Sequence, residues 1–196
     1  MTIDQLTEQE RAEIARQKRR AAKRWYVLYV HSGHERKVLE RLQQKEIEAY
    51  VPMQNEKRKY SDRVVTRARL VAPGLVFVRI ALVDQSTVYV DSHITGFMFS
   101  RTLHEPEHVP DWQMHQFRAI VDAEEHISMA TPMQGDTVRI MRGRFEGFVG
   151  QMIFDGTAKK FQIRIGEQAF VITVNAEDVV KVPAESRSEI PDERYR

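Results

Sequence analysis

Between residues 135 and 182 five short runs of β-branched and aromatic residues follow one another, at 138–140, 149–154, 161–165, 170–174 and 179–182, with turn residues between them. Such runs fit a pleated sheet and are too short for helices that must bury a face. Phe161, Ile163 and Ile165 alternate with period two, which aligns them on one face of a strand and would scatter them around a helix. Gly143, Gly147, Gly150, Gly156 and Gly166 would each cost about 1 kcal/mol in a helix interior. The segment therefore predicts a small β-barrel, stable as such rather than as a helical hairpin.

The preceding part mixes periods. Residues 1–24 form a basic, partly helical arm, and within 11–24 Arg11, Arg16, Lys18, Arg19, Arg20, Lys23 and Arg24 stand against a single acid, Glu13. Residues 25–30, Trp-Tyr-Val-Leu-Tyr-Val, then read as a strand. Ser32 and Glu35 have capping-box spacing, and a helix ending near Glu46 should follow with Val38, Leu39 and Leu42 inward. Residues 47–54 predict a second strand, and 55–69 a hairpin or loop whose cations are Lys57, Arg58, Lys59, Arg63, Arg67 and Arg69. Pro73-Gly74 turns the chain into a central strand at 75–80. A short element at 84–91, a strand at 96–99 and a proline-containing loop at 104–110 precede a helix that Asp111 can cap and that runs to about 125, with Trp112, Phe117, Ile120 and Val121 at helical spacing. The fold class is α+β: a basic arm (1–24), an α/β sandwich domain (25–125), a linker (126–134), the β-barrel (135–182) and a disordered tail (183–196).

With 42% hydrophobic and 30% charged residues the chain is ordinary for a globular protein, and no apolar run approaches the roughly 18 residues of a membrane span. There is no secretory h-region, so a cytoplasmic location is expected. The absence of cysteine excludes disulfides, thiolate zinc sites and cysteine nucleophiles. His104-Glu105-Pro106-Glu107-His108 matches the zinc-protease spacing, but that chemistry needs a continuous helix, which Pro106 opposes by about 3 kcal/mol. His31 and His34 form no better ligand set. No P-loop, nucleophile elbow or paired carboxylates occur, so neither enzyme, cofactor nor metal is expected. The net charge of +2 says little, but its two clusters, in the arm and at 55–69, suit phosphate backbones as well as they suit solvent.

Residues 25–29, the following helix, Tyr50-Val51-Pro52 and Pro73-Gly74-Leu75-Val76-Phe77-Val78 resemble, in order and spacing, the N-terminal domain of NusG-type transcription factors. Residues 135–140 followed by Gly143-Arg144-Phe145-Glu146-Gly147-Phe148-Val149-Gly150 resemble the KOW motif, with Phe145 and Phe148 at the base of the turn. The resemblance spans about 25–182, and the wording of the first half is similar to specialised paralogues, RfaH-like or polysaccharide-operon antiterminators. It implies a monomeric elongation or antitermination factor whose N-terminal domain binds the clamp helices of RNA polymerase through Tyr29, Leu75, Phe77, Phe97 and Phe99. Ala72 and Leu75 stand where the family usually has aromatics, and alternation leaves Phe77 and Phe97 open between patch and core. Lys57, Arg58, Lys59 and Arg63 would then face the DNA or RNA of the elongation complex. The family's barrel recruits ribosomal protein S10 or Rho through an apolar loop. The corresponding stretch here contains Ile165 and Gly166, so either Ile165 supplies the contact or the partner differs. The alternative is an RNA- or ribosome-binding KOW protein.

Overall fold

The computed structural model describes residues 7–59, 62–89, 91–100, 105–123, 127–130, 134–155, 158–165, 168–174 and 176–191. Along the chain, helix α1 (Glu8–Ala21) leads into strand β1 (Arg24–Val30), helix α2 (Glu35–Gln44), β2 (Glu48–Tyr50), β3 (Met53–Lys59), β4 (Val64–Leu70) and β5 (Leu75–Ile80). A 3-10 helix (Leu82–Thr87), β6 (Ile94–Phe97), β7 (His108–Val109) and helix α3 (Asp111–Asp122) complete the first half. The second half holds β8 (Ile127–Ala130), β9 (Asp136–Ile140), β10 (Val149–Asp155), β11 (Ala158–Ile165), β12 (Gln168–Thr173) and β13 (Val179–Lys181), followed by a 3-10 turn (Ala184–Glu189).

The first sheet is antiparallel in the order β2-β5-β1-β6, with β7 also beside β1. Its centre reads as continuous apolar runs because both faces are covered. Trp25, Val27, Leu75 and Phe77 join Met114, Phe117, Ile120 and Val121 of α3 in one buried cluster. Tyr26, Leu28, Val30, Val76, Val78 and Ile80 join Val38 and Leu42 of α2 in another. Alternation within each strand sorts the residues, and the β1–β5 register aligns the two sets.

Two expected helix caps are not made. Gly33, at φ +84°, turns the chain before the helix, so α2 begins at Glu35 with His34 in the cap position and no side-chain cap. The Glu35 carboxylate is buried and accepts the Gly74 N–H at 2.7 Å, tying α2 to the turn that launches β5. Pro110, rather than Asp111, occupies the cap of α3, and Asp111 is its first helical residue.

The second sheet runs β13-β9-β10-β11-β12-β8. All six strands are antiparallel to their neighbours, and no pairing joins β13 to β8 among the described residues, so the sheet is not hydrogen-bonded into a closed barrel there. The residues expected to be a linker include its edge strand: β8 pairs with β12 from Ile127↔Ile172 to Ala169↔Ala130, and Ile127 is fully buried. The tail expected to be disordered also packs in part. Ile190 is buried against Val149 and Val182, with Trp112 of α3 alongside.

The two halves share a core. Ring centroids step from Phe77 to Phe117 (5.3 Å) and from Phe117 to Phe170 (4.4 Å), so α3 lies between the sheets and is apolar on more than one side. Polar bonds follow the same seam. Gln116, with its amide oriented to satisfy both groups, donates to Val149 O (3.2 Å) and accepts from Val149 N–H (2.9 Å). Arg144 donates to the Ala123 carbonyl at 2.6 Å.

Candidate interaction surfaces

The five aromatic and aliphatic residues expected to form one patch do not lie together. Tyr29 and Leu75 are direct partners in the β1–β5 register, and Phe77 lies two residues along the same face. Tyr29 is 37% exposed, whereas Leu75 and Phe77 are buried in the α3 cluster. Phe97 is opposite Leu28, on the α2 face, where its ring packs edge-on to Tyr26 and Tyr89. Phe99 lies past the end of β6 and is 50% exposed. Burial thus assigns Leu75, Phe77 and Phe97 to the core and leaves as exposed aromatics Tyr29 on β1 and Phe99 beyond the end of β6.

The basic segment is a hairpin, β3 paired with β4 from Met53↔Leu70 to Lys59↔Val64, and it joins neither sheet. Lys57, Arg58 and Lys59 therefore lie toward its free end, with exposed Arg63 at the start of the return strand. Its base is anchored: Gln54 donates to the Val121 carbonyl (3.0 Å), and Arg69 donates to the Ile127 carbonyl (3.0 Å) and to Gln54 (3.3 Å). Arg69 is accordingly a structural cation.

A glycine-rich turn follows β9. Gly143 (φ +88°) and Gly147 (φ +85°) adopt left-handed backbone, which a Cβ disfavours. Gly147 N–H donates to the Ile140 carbonyl (2.7 Å) and Phe148 N–H to that of Phe145 (3.0 Å), closing the turn over the stacked rings of Phe145 and Phe148 (5.6 Å). Ile165 is buried, because it shares the inward face of β11 with Phe161 and Ile163; it is core and offers no exposed apolar loop. Gly166 lies outside the described residues. The second half's exposed apolar side chains include Phe154 of β10, at 61%, and Met129 of β8.

Residues 105–109 are not helical: Phe99 bridges Pro106, and His108 and Val109 form β7. His104 lies outside the described residues, and among these no group of three or more His, Asp or Glu could hold a metal. His31 and His34 instead meet His93, whose ring stacks on His34 at 4.2 Å and bonds Asp91 at 2.8 Å. Burial opposes ionisation of Asp91, but the His93 amide, Arg41 and the His93 ring outweigh it and hold the carboxyl well below its usual range. Nothing in the spacing of Arg41, Asp91 and His93 along the sequence announces this cluster. No helix among the described residues is long and apolar enough to cross a membrane.

Residues 23–118 match the family model "Transcription termination factor nusG". The chain is 23% identical over 156 residues to the transcription termination/antitermination protein NusG of Rickettsia bellii (strain RML369-C), covering 74% of this chain and 81% of that protein. Among solved structures it is similar to that described as "Domain interaction in Thermotoga maritima NusG" (TM-score 0.49, 22% identity, 84% of this chain and 99% of the other). It is also similar to a chain of the MjSpt4:Spt5 complex (TM-score 0.27, 13% identity, 81% and 97% covered). The family match runs from the start of β1 into α3, the unit that carries Tyr29, Leu75 and the basic hairpin, and that unit is a NusG-type domain.

Proposed function

We propose that the chain is an elongation or antitermination factor that binds the clamp helices of RNA polymerase through its N-terminal domain and recruits a second factor through its C-terminal sheet. The observation that carries this reading is the family match over the domain whose β1–β5 pair exposes Tyr29 above buried Leu75 and Phe77. A partly exposed tyrosine over a rigid apolar floor suits a contact in which a few desolvated side chains supply most of the affinity. Leu75 and Phe77 support that floor and Phe99 gives a second exposed anchor. The wording of residues 25–30 and 73–78 supports a specialised paralogue, working in the cytoplasm as a monomer. Phe154 is the better anchor for a second factor, ribosomal protein S10 or Rho in kind, since Ile165 is enclosed.

Tyr29→Glu is expected to weaken binding to purified polymerase core by about 30-fold, the equivalent of a 2 kcal/mol hot spot, with the thermal transition of the free protein unchanged. Undiminished affinity in the folded variant overturns the assignment of this face.

The hairpin would lie against DNA or RNA of the elongation complex. Neutralising Lys57, Arg58 and Lys59 to glutamine is expected to lower the salt slope of binding to a nucleic-acid scaffold carrying polymerase by about 0.7–0.9 for each phosphate that is no longer neutralised. An identical slope for variant and parent would assign these cations to solvent.

A further inference from the structure

Helix α1 stands outside the family match, which begins at residue 23, and none of its residues is buried. Its order comes from local chemistry. Thr7 Oγ1 accepts the Glu10 N–H (3.3 Å) while the Glu10 carboxylate accepts the Thr7 N–H (2.8 Å), a complete capping box. Glu8 and Glu10 lie in the first turn and Lys18, Arg19 and Arg20 in the last, complementing the helix dipole. A helix held this way, with no face committed to the core, presents its side chains to whatever approaches.

What it presents is positive. Arg16 pairs with Glu105 (3.0 Å) and Glu13 (3.9 Å), whereas Lys18, Arg19, Arg20, Lys23 and Arg24 have no ion pair among the described residues. Arg16, Arg19 and Arg20 fall on neighbouring turns of one face, and Lys23 and Arg24 continue the charge to the start of β1. At 1.5 Å per residue the 14-residue helix is about 21 Å long, a length over which duplex DNA carries about 12 phosphates.

We infer that α1 is a docking helix for the phosphate backbone of double-stranded DNA. Charge complementarity selects a polyanion, and shape and composition select the duplex. Sites for single strands combine a groove with aromatic stacking platforms. The arm is a convex rod with no aromatic residue, and the adjoining Trp25 and Tyr26 are buried. A helix about 10–12 Å across fits the roughly 12 Å major groove of B-form DNA, while the major groove of an RNA duplex is too narrow. The contact is independent of the polymerase face and holds whether or not that face is correctly assigned.

The test is fluorescence anisotropy of the full chain with a labelled duplex of about 20 base pairs, titrated from about 50 to 200 mM salt. The charge-removing variant R19Q/R20Q/K23Q is expected to bind at least about tenfold more weakly at the low-salt end and to lose about 2–3 from the log–log salt slope. The charge-preserving R19K/R20K/K23R should keep both. Since α1 buries nothing, circular dichroism should show both variants folded. An unchanged slope in the glutamine variant, or tighter binding of parent to single-stranded RNA or an RNA duplex of equal length, overturns the inference.

Discussion

Replacing Phe117 with alanine is expected to cost about 3–5 kcal/mol and to lower the melting transitions of both sheets together. The ring is fully buried and touches three other rings, Tyr50 at 6.4 Å and Phe77 at 5.3 Å from the first sheet and Phe170 at 4.4 Å from the second. Removing it opens a cavity where three aromatic side chains meet, and the surrounding strands are paired on both sides and cannot collapse freely into it. Thermal unfolding followed separately by Trp fluorescence and by far-UV circular dichroism checks this. Trp112 packs against Val149, Val182 and Ile190 of the second half, so the fluorescence is followed in a Trp112→Phe background, where Trp25 of β1 reports the first sheet, while the ellipticity includes all the strands. Coincident transitions shifted by the same amount are the expected outcome. A loss confined to one probe would mean that α3 belongs to one sheet alone.

The second large effect is expected at Gly150. A Cβ built there would lie 2.5 Å from the Gln162 carbonyl oxygen and 2.6 Å from the Phe161 ring, inside the β10–β11 packing. Phe161 is itself fully buried, so the ring has nowhere to withdraw. Gly150→Val is therefore expected to destabilise the second sheet by about 3 kcal/mol or more, at the upper end for overpacked cores. A Cβ at Gly143 meets nothing within 4 Å, so substitution there incurs chiefly the left-handed backbone strain, about 1–2 kcal/mol. Urea unfolding of the two variants should rank them in that order, and equal midpoints would contradict the packing described for β10 and β11.

The strands of the second half are legible because their signal is local. Phe161, Ile163 and Ile165 all face inward, as period two requires, and β9 to β13 fall where the apolar runs do. For the same reason Ile165 is enclosed: the alternation that identifies the strand also buries its last apolar residue. The central strands β1 and β5 are equally clear, but their facing is not. A strand covered on both sides has no alternation to read, and only the pairing of Leu28 with Phe97 and of Val27 with Phe77 shows that these phenylalanines lie on opposite faces.

Elements held by distant partners cannot be read this way. Ile127 to Ala130 contain serine and methionine and look like a connection, but they form the edge strand beside β12, a partner so far along the chain that local composition says nothing about it. Ile190 sits in a polar tail, and its burial depends on Val149, Val182 and Trp112 being brought together first. Glu35 matches a capping box by spacing, yet Gly33 moves the helix start and the Gly74 amide captures the carboxylate. In each case a long-range contact outweighs a local rule worth about 1 kcal/mol.

We propose that this chain, through its NusG-type domain, works on RNA polymerase. The most direct measurement is a pull-down of the full chain from native extract, with Tyr29→Glu in parallel and the captured subunits identified. Polymerase subunits recovered by the parent and depleted in the variant are the predicted result. Ribosomal subunits in their place, recovered equally by parent and variant, would contradict it.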